Sequence, residues 1–265
     1  ELRIDEIILA ITHRHAIDKA LFDALLRCRE LGVRVTPMAV ICERLNGRVP
    51  VDHVGRDLYA ALPTGDSGYE RFFLAVKRLS DLGVGVLGLL VLAVIGPLVA
   101  LANALTAPGP LFYRQQRVGQ GGRTFMIYKF RSMRPNAESK TGAVWAAAND
   151  SRITPVGKFL RKTRLDELPQ VLNILAGEMS LIGPRPERPE FVEELAKALP
   201  FYRARHAVRP GITGWAQVQH RYASSVEDSK TKLEYDLYYV KHVGALLDLR
   251  IVLRTIPVML LFKGQ

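Results

Sequence analysis

The feature that most constrains this chain is an apolar run from Leu82 to Ala102, in which 21 consecutive residues carry no polar side chain. A helix rises about 1.5 Å per residue, so such a run extends roughly 30 Å, which matches the hydrocarbon core of a bilayer. A buried helix of a soluble protein rarely lacks polar residues over this length. The run therefore predicts a helix inserted in a membrane.

Two observations favour a helix that enters the membrane and returns to the same side. Pro97 follows Gly96 inside the run, and a proline removes a helical hydrogen bond and bends the helix. Both flanks are also basic, whereas a spanning helix should carry more Lys and Arg on its cytoplasmic side. We therefore predict a re-entrant helix over residues 82–102 that bends at Gly96-Pro97, with a spanning helix as the alternative.

Charge is divided unevenly along the chain. Residues 1–70 contain nine basic and eleven acidic residues, whereas the rest of the chain contains 28 basic and 15 acidic residues. This division predicts two domains, 1–70 and 71–265. The basic second domain favours an anionic partner, which by charge alone could be nucleic acid, phospholipid head groups or a phosphorylated substrate. Because no nucleic-acid-binding signature is present, we expect no nucleic acid partner.

The acidic head has the pattern of an α/β unit. Glu6–Ile11 is a short apolar run typical of a buried strand, His15–Glu30 has helical periodicity, and Val33–Ile41 is rich in β-branched residues. Strand, helix and strand in this order predict a parallel, partial Rossmann-like unit. No glycine-rich loop follows the first strand, so a dinucleotide site is not expected. A docking or regulatory role is the interpretation that remains.

The second domain is expected to be rich in helices, several of them basic and amphipathic. Phe125–Arg131 alternates like a strand, whereas Pro155–Arg164 and Leu247–Phe262 combine apolar residues with Lys and Arg. Such stretches suit a membrane interface, where apolar side chains enter the acyl region and long cations reach the phosphates. Ordinary packed helices with a solvated face are the alternative.

The most informative segment runs from Arg161 to Gln170. The apolar residues that follow Asp166 recur with helical spacing, and Pro169 is tolerated only in the first turn of a helix. This places Asp166 at or just before a helix N-terminus. One interpretation is a structural N-cap. The other is a nucleophile, because a carboxylate at a helix N-terminus is kept ionised by the dipole and by free backbone N–H groups.

The neighbours of Asp166 favour chemistry on a diphosphate. Arg161 and Arg164 can bind phosphate oxygens together with the helix N-terminus. Glu167 supplies a second carboxylate, and Mg²⁺ prefers one or two carboxylates plus substrate phosphate oxygens. The segment therefore predicts a metal–diphosphate site with Asp166 and Glu167 as metal ligands. Phosphoryl transfer requires mainly positioning and charge neutralisation, which these residue types provide.

Two further loops have features of anion-binding sites. Arg185 stands between Pro184 and Pro186, so its backbone has little freedom to lose on binding a ligand. A Pro-Gly turn at residues 210–211 leads to Trp215, which could stack on a nucleobase. A tryptophan buried in the core is an equally good interpretation of Trp215.

These motifs together resemble the monotopic phosphoglycosyl transferases, the bacterial sugar transferase family. The resemblance covers about residues 71–262 and rests on segments that occur in order: Lys77-Arg78, Lys129-Phe130-Arg131-Ser132-Met133, Leu165-Asp166-Glu167-Leu168-Pro169-Gln170, Ser180-Leu181-Ile182-Gly183-Pro184-Arg185-Pro186-Glu187 and Arg209-Pro210-Gly211-Ile212-Thr213-Gly214-Trp215. The head also resembles the α/β domain that precedes the catalytic part in larger members. Those members usually carry additional N-terminal transmembrane helices.

The resemblance implies a two-step transfer with Asp166 as the nucleophile. Asp166 attacks the β-phosphate of a UDP-sugar, UMP leaves, and a polyprenol phosphate, typically undecaprenyl phosphate, then takes the sugar phosphate. Glu167 corresponds to the second residue of the family's catalytic pair, and Mg²⁺ is the family's metal. The residues expected to bind substrate or phosphate are Arg161, Arg164, Arg185, Glu187, Arg131, Lys129, Arg209 and Trp215.

The resemblance also implies a place in the cell and a set of partners. We expect the cytoplasmic face of a bacterial inner membrane, contact with membrane lipids, and a head that is a candidate surface for homodimerisation. One departure concerns the membrane helix, because its break is commonly Ser-Pro in the family and is Gly96-Pro97 here. A membrane-anchored nucleotide-sugar hydrolase and a non-catalytic membrane scaffold are the alternative functions. No motif encodes which sugar is transferred.

Overall fold

The structure, a computed structural model, describes residues 4–11, 17–54, 68–135, 150, 152–220 and 226–260. The N-terminal unit contains strand β1 (Glu6–Leu9), helix α1 (Lys19–Glu30) and strand β2 (Arg34–Pro37). The two strands pair in parallel, with Ile7 opposite Val35. The predicted order of elements and their parallel pairing are therefore confirmed, while a Rossmann-like architecture stays a prediction.

The second predicted strand of the head is wrong beyond Pro37. Met38 begins helix α2 (Met38–Asn46), which ends at Gly47 in the left-handed conformation with a φ of 63°. A proline suits the entrance of a helix because it lacks an N–H, and the β-branched residues after it fit either kind of element. A short helix α3 (Val51–Val54) follows. The predicted start of the first helix at His15 falls among residues 12–16, outside the described part of the chain.

Helix α4 (Gly68–Thr106) has 39 residues and contains the whole apolar run. Its segment Arg71–Thr106 is long and apolar enough to cross a membrane by length and composition, and only 17% of its most apolar window is buried. One face carries exposed apolar side chains at helical spacing: Leu87, Leu90, Val94, Leu98, Leu101 and Leu105. A face so apolar and so little packed suits hydrocarbon better than water, which fits the predicted membrane helix.

The chain remains helical on both sides of the predicted bend. Helix α4 includes Pro97, and a Cβ added to Gly96 would meet no atom within 4 Å. The proline removes one backbone hydrogen bond from the ladder. Whether the helix returns to the same side of a membrane therefore stays a prediction.

The remaining elements form a helix-rich unit with two short sheets. They are β3 (Phe112–Val118), β4 (Thr124–Phe130), α5 (Pro155–Thr163), α6 (Val171–Ala176), β5 (Ser180–Ile182), α7 (Pro189–Ala198), β6 (Gly211–Thr213), α8 (Trp215–Gln219), α9 (Val226–Lys241) and α10 (Ala245–Leu260). Strands β3 and β4 are antiparallel, and β5 and β6 are parallel. The predicted strand Phe125–Arg131 and helix Pro155–Arg164 are confirmed to within one residue at each end.

Polar residues in the first part of α4 attach the long helix to this unit. The Arg78 guanidinium donates to the carbonyls of Ile174 and Leu175 at 2.6 and 3.0 Å, at the C-terminal end of α6. Buried Asp81 accepts a hydrogen bond from the Leu181 backbone N–H at 2.9 Å, at strand β5. Helix α4 therefore contacts the two elements that follow the segment carrying the predicted nucleophile.

Glycines allow α4 to approach α6 closely. A Cβ added to Gly88 would lie 2.6 Å from Cγ1 of Val171, and one added to Gly85 would lie 2.8 Å from Cδ2 of Leu175. Real Cβ atoms essentially never come this close to a neighbour, so a larger residue at either position would force the facing side chain of α6 to shift. The backbone of helix α4 is thus in direct contact with α6.

The head packs on the second unit through the segment that follows α2. Val49 and Val51 lie in one buried cluster with Val192, Leu195 and Leu237, which belong to helices α7 and α9. The chain therefore contributes to the core of the second unit from residue 49 onward. The predicted domain boundary at residue 70 stays a prediction.

Helix α10 carries an exposed apolar face, as a membrane-interface helix would. Its exposed apolar residues are Leu246, Leu249, Val252, Leu253 and Ile256. On helix α5, Phe159 is also 60% exposed. Both helices also carry Arg residues, so they have the composition of interfacial helices. Their position at a membrane surface stays a prediction, and residues 261–265 lie outside the described part of the chain.

Candidate active site

Asp166 and Glu167 lie in a 3₁₀ turn, Leu165–Gln170, between helices α5 and α6. Arg164 enters this turn with a φ of 61° and a ψ of 11°, which is the left-handed region that few residues other than glycine adopt. Arg164 is the residue at the N-cap position, and the Asp166 carboxylate makes no capping hydrogen bond. The interpretation of Asp166 as a structural N-cap is therefore wrong.

Glu167 is buried between two cations that come from other segments of the chain. Its Oε1 atom accepts hydrogen bonds from Nζ of Lys129 at 2.8 Å and from Nη2 of Arg185. Arg185 also lies 3.4 Å from the second oxygen, Oε2. Burial alone would raise the pKa of Glu167, but Arg185 and Lys129 outweigh it and hold that pKa well below its usual range. Glu167 is therefore an ionised anchor for both cations.

Asp166 differs from Glu167 in having no partner among the described residues. It is half-buried, and its carboxylate forms no hydrogen bond or ion pair in the part of the chain that the structure describes. Burial raises the pKa of Asp166, and the negative charge of Glu167 raises it further. Lys129, Arg161 and Arg185 lower this pKa in opposition. The three cations thus favour the ionised form, while burial and Glu167 keep the net pKa of Asp166 above its usual value.

A buried asparagine fixes the strand that carries Lys129. Asn173 in α6 donates from Nδ2 to the Met126 carbonyl at 2.7 Å and accepts from the Tyr128 N–H at 3.2 Å. Both partners lie in β4, immediately before Lys129. Burial lowers the pKa of Lys129, and the charge of Glu167 opposes that effect. Helix α6 therefore fixes the position of strand β4, and with it the position of Lys129 relative to Glu167.

The loop that carries Arg185 is held against the loop before Trp215. The Gly183 N–H donates to the Thr213 carbonyl at 2.9 Å, and the Gly211 N–H donates to the Pro184 carbonyl at 3.0 Å. A Cβ on Gly183 would lie 2.3 Å from the Arg209 carbonyl oxygen. The two predicted anion-binding loops therefore touch along their backbones, which explains why both contain glycine.

Arg131 lies beside the segment that follows helix α4 and does not contact the two carboxylates. It is 6% exposed and donates from Nε to the Pro110 carbonyl at 2.6 Å and from Nη2 to the Ala107 carbonyl. Its remaining nitrogen, Nη1, is buried and forms no hydrogen bond with a described residue. The described contacts of Arg131 thus hold the segment just after α4. They do not bring the Arg131 guanidinium to Glu167, so they do not support the predicted phosphate-binding role.

Glu187 is also paired within the protein. Its carboxylate accepts from Nζ of Lys232 at 2.5 Å and lies 3.6 Å from Nη1 of Arg117. Burial would raise the pKa of Glu187, but Lys232 and Arg205 are the main charges that hold that pKa at about 2. Glu187 is therefore a constant negative charge that balances cations behind the Arg185 loop.

Trp215 occupies the core between the head and the second unit. Its indole Nε1 donates to the Gly47 carbonyl at 2.7 Å, the ring centroid of Tyr238 is 6.1 Å away, and the Arg254 guanidinium carbon is 5.1 Å from its ring. The core interpretation, and not nucleobase stacking, agrees with these contacts. Arg209 is half-buried, and its side chain forms no ion pair with a described residue.

Sequence reasoning missed the residues behind the Arg185 loop. Arg205 and Asp236 form a buried ion pair of 2.6 Å, and each side chain is 2% exposed. Arg117 reaches the same loop from β3. None of these residues belongs to a local pattern that predicts a site, and only burial of the charges marks them.

The residues present fit a magnesium ion in one particular way. Within the described residues, no three His, Cys, Asp or Glu side chains form a cluster that could hold a metal. Both oxygens of Glu167 face cations, so the unpaired Asp166 is the carboxylate that suits a metal. Mg²⁺ is commonly held by one carboxylate together with phosphate oxygens of a substrate. A magnesium ion here would therefore need the phosphate oxygens of a bound diphosphate, and its binding by Asp166 and Glu167 stays a prediction.

Comparison with known proteins identifies the family. The family model for bacterial sugar transferases matches residues 72–262, which include every residue of the candidate site. The chain belongs to the bacterial sugar transferase family. Within this family, it is 44% identical over 237 residues to a UDP-N-acetylgalactosamine-undecaprenyl-phosphate N-acetylgalactosaminephosphotransferase from Aeromonas hydrophila, covering 89% of the chain and 54% of that protein.

Other relatives in the bacterial sugar transferase family have different names. A UDP-glucose:undecaprenyl-phosphate glucose-1-phosphate transferase from Xanthomonas campestris pv. campestris is 40% identical over 196 residues, covering 73% of the chain and 40% of that protein. An exopolysaccharide production protein PSS from Rhizobium leguminosarum bv. phaseoli is 39% identical over 191 residues, covering 69% of the chain and 94% of that protein. The chain thus spans about half the length of the Aeromonas relative and nearly all of the Rhizobium one.

Proposed function

We propose that this chain transfers a sugar 1-phosphate from a UDP-sugar to a polyprenol phosphate, typically undecaprenyl phosphate, and releases UMP. The observation that carries the proposal is the half-buried Asp166 carboxylate, which has no partner among the described residues while three cations act on it. A buried carboxylate with a purely structural role is normally paired. Relatives named for UDP-sugars and undecaprenyl phosphate support both substrates.

The reaction proceeds in two displacements at one phosphorus atom. An oxygen of Asp166 attacks the β-phosphorus of the UDP-sugar and forms an O–P bond, while the bond from that phosphorus to the bridging oxygen breaks and UMP leaves. An oxygen of the polyprenol phosphate then attacks the same phosphorus. The bond to Asp166 breaks, which regenerates the carboxylate and yields a polyprenol diphosphosugar.

The cations around Asp166 perform the electrostatic part of this reaction. Arg185 and Lys129 are held by Glu167 beside the nucleophile, where they can neutralise the diphosphate and the developing charge. Arg161 favours ionised Asp166. Glu167 keeps the two cations in place and remains ionised, so it acts as an anchor. Mg²⁺, held by Asp166 with the diphosphate, would supply further charge neutralisation when bound.

The long apolar helix supports a route by which a lipid substrate could reach the site. Helix α4 touches α6 through Gly85 and Gly88, so a polyprenol in the membrane would find the reacting carboxylate near the protein–lipid boundary. We propose a re-entrant helix at the cytoplasmic face of a bacterial inner membrane. Accessibility tags before Glu1 and after Gln265 should then report the same side, and tags on opposite sides would reject re-entrance.

The decisive experiment concerns Asp166. Asp166→Asn should abolish both UMP release and a radiolabelled sugar-phosphate adduct on the protein, because an amide oxygen is a poor nucleophile toward phosphorus. Asp52→Asn, at an exposed aspartate in α3, is the matched control and should retain both signals. Persistence of the adduct in Asp166→Asn would remove this residue as the nucleophile.

Product analysis separates the alternatives. A panel of UDP-sugars should reveal UMP release with at least one sugar, which would also identify the donor that the sequence does not encode. Sugar phosphate should appear on polyprenol phosphate when the lipid is present. Release of free sugar phosphate regardless of lipid would indicate a hydrolase, and no UMP release across the panel would favour a membrane scaffold.

A further inference from the structure

The loop that carries Arg185 has all four of its backbone carbonyls bonded to other parts of the protein. In the loop Pro184–Glu187, the first carbonyl accepts from the Gly211 N–H at 3.0 Å and the last accepts from the Val118 N–H at 2.9 Å. Backbone N–H groups therefore hold both ends. The two carbonyls between them accept from side chains, which is the unusual part of the arrangement.

Those two side chains are buried or half-buried arginines from distant segments. Arg205 donates from Nη2 to the Arg185 carbonyl at 2.9 Å. Arg117 donates from Nη1 to the Pro186 carbonyl at 3.1 Å. Arg205 thus binds the main chain at Arg185, which pairs with Glu167, and Arg117 binds it at the next residue. Neither Arg205 nor Arg117 donates to Glu167 itself.

Every nitrogen of the Arg205 guanidinium donates a hydrogen bond to a side chain, and these bonds hold Arg205 in place. Its Nε and Nη2 atoms donate to Oδ2 of Asp236 at 3.0 and 2.6 Å, and Nη1 donates to the Tyr202 hydroxyl at 3.0 Å. Arg205 is 3% exposed and Asp236 is 1% exposed. Removing two charges from water is unfavourable, so a buried pair is a weak source of stability. The geometry of the pair instead fixes the position of the Arg205 guanidinium, which donates to the Arg185 carbonyl.

We propose that Arg205, oriented by Asp236, and Arg117 are positioning residues. They fix the backbone of Arg185 and thereby the position of its side chain. The proposal rests on the transfer reaction proposed above for its effect on rate. Two prolines already restrict the backbone dihedral angles around Arg185, and the two carbonyl contacts fix the position of this backbone relative to Asp166. A misplacement of about 1 Å in such a group can lower a rate by about 100-fold.

Arg205→Lys is the central variant, and Tyr202→Phe is its matched control. Lysine keeps a positive charge for Asp236 but cannot also reach the Arg185 carbonyl. Phenylalanine removes a bond to the same guanidinium and leaves the carbonyl contact intact. In the full chain, Arg205→Lys should speed hydrogen–deuterium exchange of the backbone amides at the four non-proline positions of residues 183–188 and lower kcat for UMP release about 10- to 100-fold. Tyr202→Phe should change kcat less than about threefold and leave this exchange unchanged.

Two further variants keep the proposal testable if Arg205→Lys fails to fold. Arg117→Met removes the contact to Pro186 at a less buried position and should produce the same two changes. In an Arg185→Lys background, Arg205→Lys should lower kcat by less than about twofold, because both residues act through one side chain.

Equal exchange in Arg205→Lys and Tyr202→Phe would overturn the proposal, as would a full, independent loss of rate in the Arg185→Lys background. If the unaltered chain releases no UMP, the proposed transfer reaction fails. The exchange of residues 183–188 still decides whether Arg205 holds the loop.

Discussion

Nζ of Lys129 lies 2.8 Å from Oε1 of Glu167, and the Arg185 guanidinium donates to the same oxygen. A single carboxylate thus joins a strand, a turn and a loop at the position next to Asp166. Breaking a buried ion pair leaves an uncompensated charge. The consequences of this relationship for rate, pH dependence and stability are open to measurement.

Glu167→Gln should lower both activity and stability. The amide cannot balance Lys129 and Arg185, so the two cations would separate and the free energy of unfolding should fall by about 3 to 5 kcal/mol. UMP release should fall by about 100-fold or more. Glu227→Gln, at an exposed position of α9, is the matched control. A variant at residue 167 with the full rate would contradict the anchoring role.

The rate of UMP release should show an acidic limb above the ordinary pKa of an aspartate, about 3.9. Burial and the charge of Glu167 raise the pKa of Asp166, and only the ionised carboxylate is a nucleophile. Arg161→Gln should move this limb to higher pH, because Arg161 lowers that pKa. Lys162→Gln, at the exposed neighbouring position, should move it less. The measurement is kcat/KM as a function of pH, and equal shifts in both variants would argue against this electrostatic role.

Stability should decrease as the pH falls from about 6.5 to about 4 because of His206. Burial, followed by the charges of Arg205 and Arg203, lowers the pKa of His206 to about 4. The unfolded chain binds this proton more readily, so the contribution of His206 is present above pH 6.5 and is lost toward pH 4. One proton corresponds to at most about 1.4 kcal/mol per pH unit. Thermal unfolding of His206→Gln should lack this component, and an unchanged pH profile would exclude His206 as its source.

Gly88→Ala should weaken the contact between the membrane helix and α6. The new Cβ would lie 2.6 Å from Cγ1 of Val171, and overpacking of this kind costs about 1 to 3 kcal/mol. Gly83→Ala meets no atom within 4 Å, so it should be neutral or stabilising by up to about 1 kcal/mol. Unfolding in detergent or nanodiscs measures both. If the two variants unfold alike, the close helix contact is not maintained in a membrane.

Local patterns were sufficient for most of the elements around the site. Strand β4 and helix α5 were predicted within one residue because strand alternation and the amphipathic pattern of a helix act over a few neighbouring positions. The strand predicted at Val33–Ile41 failed after Pro37, since β-branched residues fit either a strand or a buried helix. Tertiary packing then decided in favour of α2.

The candidate site was only partly predictable. Asp166 and Glu167 stand side by side in the sequence, so their pairing needed no fold. Their opposite pKa shifts could be found only from the fold, because Glu167 pairs with two cations and Asp166 has no partner among the described residues. Arg131 and Trp215 were expected at the substrate, but packing directs the first to the end of α4 and the second to the core.

The sequence by itself determined the solvent of the chain and the chemistry it carries. Twenty-one apolar residues in a row predict a membrane helix, and the Asp166-Glu167 pair with its nearby basic residues predicts the reaction class that we propose. Only the tertiary structure decided which cation faces which carboxylate. Lys129 is 38 residues from Glu167, and Arg205 is 20 residues from the Arg185 carbonyl that it holds. An electrostatic interaction depends on distance and burial, and for residues this far apart in the chain both are set by packing alone.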